Sequence, residues 1–216
     1  DELLTSFDGV SLWRPWNINS DWKTESGQSW FHIDQHPISK PGKQCIQGLV
    51  NLLPTSKEIG GNVIIPESHN FFKNIPNEYK ERLGRLPLDI DHFRFPNDDP
   101  KLSSKPAVMC HMEPGDMLLW DSRTIHCSNS GTELSDDTNS LIRAASLICM
   151  MPKYLSDESV LEKRREAVDK LISTTNWTNS FRNADEFPLI LEAKDRAKYK
   201  WPKKPVLNAY QKSLID

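Results

Sequence analysis

Residues 30–37 read WFHIDQHP, and they set His32, Asp34 and His36 on alternate positions with Ile33 and Gln35 between. On an extended strand, residues two apart point to the same face. All three polar side chains would therefore project one way. Burying such a face is costly unless a cation sits on it. The stretch reads as a β-strand that presents metal ligands.

Further strand-like runs surround it. They are 29–37, 44–53, 61–67, 107–113, 116–128 and 141–151, punctuated by KPGK, GG, PGD and NSG turns. Residues 75–84 read as a short helix that starts near Pro76 and stops at Gly84. Ser156 is the expected cap of a longer helix, with Leu161, Val168, Leu171 and Ile172 at helical spacing. Many short strands and few helices predict a mainly β chain, a β-sandwich or jelly roll with flanking helices. The expected organisation is an N-terminal loop segment over residues 1–28, a core over 29–153, and a helix with a tail over 154–216.

With 216 residues the chain is long enough for a sizeable core. Its net charge of −3 and pI of about 6.1 argue against a nucleic-acid footprint. No apolar run is long enough to span a bilayer. The expected partner is a small-molecule substrate, with no nucleic acid and no membrane. Cys45, Cys110, Cys127 and Cys149 are scattered without a CxxC pair, which suggests a reducing, cytoplasmic-type setting.

His32 and Asp34 would lie about 6.6 Å apart along an extended strand, and His36 about 13 Å from His32. Three ligands drawn from that one strand would strain around one ion. His126, in WDSRTIHCSNSG, is the better third ligand, from another strand. Two histidines and one carboxylate on one face of a metal leave open positions, the arrangement of non-haem Fe(II) oxygenases. By parity Ser128 shares the face of His126. If strands 116–128 and 141–151 pair as a hairpin, Arg143 becomes its neighbour. A guanidinium beside a hydroxyl makes a carboxylate clamp. Trp30, Gln47, Asn51 and Trp120 are candidates to line the pocket, as are Ser122 and Thr124 by parity with His126. His36 reads as a hydrogen-bonded rim residue, His69 and His92 as loop residues, and His111 as an ordinary surface histidine.

WFHID, GGNVIIPESHN, PGDMLLWDSRTIHCSNSG and IRAAS together resemble the phytanoyl-CoA dioxygenase family of Fe(II)/2-oxoglutarate-dependent oxygenases. The resemblance covers roughly residues 29–153 and implies a double-stranded β-helix (jelly roll, cupin-like) core. It implies that His32, Asp34 and His126 bind Fe(II), and that Ser128 and Arg143 hold the distal carboxylate of 2-oxoglutarate. O2 is the other cosubstrate it implies, with succinate and CO2 released as a small organic substrate is oxidised. Two alternatives stand beside it: a zinc-dependent hydrolase or lyase on the same triad, and a non-catalytic jelly-roll binding module.

Overall fold

The computed structural model describes residues 2–19, 22, 30–132, 140–179 and 203–216. In chain order their strands are β1 (Leu3–Thr5), β2 (Val10–Trp13), β3 (His32–Asp34), β4 (Ile46–Asn51), β5 (Gly61–Ile64), β6 (His92–Arg94), β7 (Val108–Met109), β8 (Met117–Asp121), β9 (His126–Asn129) and β10 (Arg143–Pro152). The chain forms two compact units, Val10–Ser146 and a smaller one of Asp1–Gly9 with Leu147–Asp216.

The larger unit is built from antiparallel strands in two sheets, a double-stranded β-helix core. One sheet runs β6-β3-β9-β5-β7; the other pairs β2 with the first residues of β10, and β4 with β8. Side-chain alternation in the first sheet explains where the core sits. Phe31 and Ile33, Val63 and Ile65, Phe93 and Phe95, and Ile125 and Cys127 form one buried cluster. That cluster is closed by Phe72 from a 3₁₀ segment (Ser68–Asn74), Ile75 from α1 (Ile75–Glu78) and Leu83 from α2 (Lys80–Leu83). The alternate positions on the same strands carry His32, Asp34, Asn62, His92, His126 and Ser128. One face of the sheet is thus spent on core, and the other is left for polar side chains.

The expected strands form, shorter than their sequence runs, and one run is broken. The 116–128 run splits into β8 and β9, because the Asp121 carboxylate accepts the backbone N–H of Arg123 at 3.0 Å and Thr124 N–H bonds the Asp121 carbonyl at 2.8 Å. The expected helix at 75–84 is likewise two short turns, interrupted at Tyr79 (φ −118°, ψ 31°). The first residues, expected as loops, include β1 and β2. Their alternation is too brief to stand out in sequence, and it is pairing with β10 that defines them. Gly60 and Gly131 hold the β4–β5 and β9 turns at positive φ, +96° and +70°. A Cβ on Gly60 would lie 2.2 Å from the Asn129 carbonyl, so only glycine fits.

In the smaller unit, α3 (Glu158–Lys170) is capped by Asp157, whose side chain accepts the Val160 N–H at 2.9 Å. The cap falls one residue after the expected Ser156, because a carboxylate at that position reaches the free N–H groups. Arg164 on α3 is fully buried. Its guanidinium donates to the carbonyls of Thr5, Thr178, Leu214 and Ile215 at 2.7–3.2 Å, gathering three chain segments. Arg164→Met is expected to cost about 3 kcal/mol, by leaving these carbonyls without a donor, and urea unfolding measures it. Among the described residues no helix is long and apolar enough to cross a membrane.

Candidate metal centre

The site follows from register. His32 and Asp34 lie on one face of β3, and His126 on β9 is the direct antiparallel partner of His32. The three residues converge so that one ligand atom from each lies within 4.8 Å of the others. His32 Nε2 stands 3.5 Å from Asp34 Oδ1, and His126 Nε2 stands 3.3 Å from Asp34 Oδ2. The 94-residue gap between the histidines vanishes because β9 lies beside β3 in the sheet.

The other ring nitrogens are already committed. His32 Nδ1 contacts the Trp30 carbonyl at 3.0 Å, and His126 Nδ1 contacts the Thr124 carbonyl at 2.9 Å. A carbonyl only accepts, so each Nδ1 carries the proton and each Nε2 keeps its lone pair. Burial pushes the His32 imidazole down to about 3, which keeps it neutral at pH 7. Burial alone would raise the Asp34 carboxyl. The interaction with the adjoining His32 imidazole, with hydrogen-bond contacts from His126 and His92, outweighs it and holds Asp34 well below the usual carboxylate range. Two neutral imidazoles and one carboxylate are the donor set for Fe(II) or Zn(II).

The surroundings orient these donors. Gln47, on the facing sheet, donates its Nε2–H to Asp34 Oδ2 at 2.9 Å. Trp30 stacks on His32 with centroids 4.8 Å apart, and its indole N–H bonds the Ser128 carbonyl at 2.9 Å. The Trp120 ring lies 5.2 Å from that of His126. Asn51 is buried further along the same strand as Gln47 and donates to Thr55 Oγ1 at 3.3 Å. Ser122 and Thr124, expected to line the cavity, do not share the parity of His126 because of the turn between β8 and β9. Ser122 is instead fully buried, donating to Gln35 Oε1 at 2.6 Å.

Ser128 and Arg143 do not meet across a hairpin. The strand carrying Ser128 pairs with β3 and β5, and the strand carrying Arg143 belongs to the other sheet. A double-stranded β-helix sends consecutive strands to opposite sheets, so sequence neighbours face each other rather than pair. Arg143 is only 1% exposed and stacks over Trp13 at 5.2 Å. Its Nε and Nη1 have no hydrogen-bond partner, and no acid among the described residues forms an ion pair with it. Burial lowers the guanidinium to about 10, so it remains charged at neutral pH. A buried, charged guanidinium with two unpaired nitrogens fits an anionic ligand.

His36 is fully buried rather than at a rim. Its Nδ1 accepts the Ile38 and Ser39 N–H groups at 3.2 and 3.1 Å, so it braces the turn after β3 and points its lone pair away from the triad. His92 is the residue sequence reasoning missed. It sits on β6 in register with Asp34, with its Nδ1 3.6 Å from Asp34 Oδ1 and its ring centroid 4.4 Å from that of His32. The signal was the alternation of His92, Phe93, Arg94 and Phe95, half polar and half core.

A family model described as phytanoyl-CoA dioxygenase (PhyH) matches residues 12–137. A curated relative, Ava biosynthesis cluster protein O of Aspergillus versicolor, is 32% identical over 184 residues, covering 82% of this chain and 55% of that protein. The chain thus spans about half the length of that relative. Among solved structures, EctD from S. alaskensis with bound Fe aligns over 70% of this chain and 45% of its own, at 15% identity and a TM-score of 0.42. AviO1 from Streptomyces viridochromogenes Tue57 aligns over 70% and 48%, at 15% identity and a TM-score of 0.38.

Proposed function

The chain belongs to the phytanoyl-CoA dioxygenase family, and from that premise we propose that it is an Fe(II)- and 2-oxoglutarate-dependent dioxygenase. In this reading it hydroxylates, or otherwise oxidises, a small organic substrate. The observation that carries it is the convergence of two Nε2 lone pairs and one carboxylate, with both histidine tautomers fixed by backbone carbonyls.

His32, Asp34 and His126 would hold the iron, and Arg143 with Ser128 the distal carboxylate of 2-oxoglutarate. When bound, iron and 2-oxoglutarate supply the chemistry in which O2 is consumed, 2-oxoglutarate becomes succinate and CO2, and a substrate C–H bond is oxidised. The protein's own part is positional. Gln47 keeps Asp34 aimed at the two imidazoles through its bond to Oδ2. Trp30 and Trp120 pack the rings of His32 and His126, which limits their rotation and keeps water from those faces. Trp13 supports the guanidinium from beneath, where a cation–π contact partly offsets its desolvation.

Zinc hydrolysis on the same triad would leave Arg143 without a purpose, which favours the oxygenase reading. Anaerobic titration with Fe(II) and then 2-oxoglutarate discriminates the two. A weak visible charge-transfer band that requires both additions is expected. Tight zinc binding with ester or amide hydrolysis, and no such band, would overturn the proposal.

A further inference from the structure

We infer that Gln47 and Trp120 form a donor–acceptor pair that anchors the substrate beside the metal centre, and that the substrate presents an amide-like edge to it. The inference rests on the oxygenase reading, in which the pair flanks the reacting centre.

Gln47 on β4 and Trp120 on β8 are direct antiparallel partners. Side chains in such positions share a face, with Cβ atoms about 5 Å apart. Both reach the triad: Gln47 through its 2.9 Å bond to Asp34, and Trp120 through its ring 5.2 Å from that of His126. Each keeps one buried polar atom without a partner, Gln47 Oε1 and Trp120 Nε1. The orientation of the amide is fixed chemically, since an oxygen facing the Asp34 carboxylate at that distance would repel it. Oε1 therefore points away from Asp34 as an acceptor, while the indole nitrogen only donates.

Leaving a buried donor and a buried acceptor unmade is costly, and two such atoms on neighbouring side chains call for an explanation. One ligand edge satisfies both. It needs a donor for Oε1 and an acceptor for Nε1 side by side, which the N–H and C=O of a cis amide supply. A carboxylate offers no donor, an ester offers no donor, and an alkyl surface offers neither. A lactam or a carboxamide therefore fits best.

The test reads the Trp120 indole N–H in a ¹H–¹⁵N spectrum of the zinc-loaded protein, assigned by its loss in Trp120→Phe. Three probes are titrated: δ-valerolactam, its N-methyl derivative and δ-valerolactone. The lactam is expected to shift this resonance saturably, with the other two at least about tenfold weaker because each lacks the donor that Gln47 Oε1 needs. In Gln47→Met the lactam should lose that advantage. Equal binding of all three probes, or an indole signal that none of them moves because the N–H bonds Gln47 itself, would overturn the inference. So would displacement of the lactam by 2-oxoglutarate, which would give the pair to the cosubstrate. Succinate release by the iron-loaded wild-type protein is scored separately. Release without lactam discrimination defeats the anchor and spares the oxygenase reading, and discrimination without release does the opposite.

Discussion

His126→Ala is expected to abolish iron-dependent turnover and to weaken iron binding by more than about a hundredfold. Residues that only orient a ligand already cost about 10–100-fold when removed, so loss of a ligand should exceed that range. The fold should survive. His126 contributes no atom to the apolar cluster behind β9, where Ile125 and Cys127 carry the packing. His36→Ala is the matched control: it too removes a buried histidine near β3, but one whose Nδ1 is occupied by two backbone N–H groups. It should cost stability and little iron affinity. Iron binding by both variants, measured beside their circular dichroism spectra, separates the cases. Equal loss of iron in the two would mean that the third ligand has been misassigned.

Arg143→Ala should raise the 2-oxoglutarate requirement roughly ten- to a hundredfold while leaving the iron requirement nearly unchanged. The lost charge-assisted hydrogen bonds are worth about 1.5–3 kcal/mol. The guanidinium is buried over Trp13, so truncation also opens a hole. Arg143→Met keeps most of that volume and should show the same selective effect. Ser128→Ala should do so more weakly, as a neutral hydroxyl contributes less than a charge. An unchanged 2-oxoglutarate dependence in both arginine variants would remove the clamp, and with it the best argument against zinc.

The triad was legible because its signals are local or chemically rare. The alternation of His32 and Asp34 gives the face, and the geometry of one strand excludes His36 as third ligand. What sequence could not supply was the partner of each strand. Ser128 and Arg143 were expected to meet through a hairpin, yet they stand in different sheets, because pairing is decided by tertiary packing. His92 reads as a loop residue for the same reason. Three residues of β6 gain their meaning only when Asp34 is set opposite His92. Parity also failed at Ser122 and Thr124, where one Asx turn reset the register of the faces. The segment between the expected strands 116–128 and 141–151, residues 129–140, falls partly outside the described residues.

The central claim is that the His32–Asp34–His126 centre couples 2-oxoglutarate to O2. The direct measurement is succinate formed from 2-oxoglutarate in air by the protein with iron bound at one equivalent, without added substrate. Slow succinate release is expected, lost on replacing iron by zinc and lost in His126→Ala. Stoichiometric iron with no succinate above the protein-free background would contradict it.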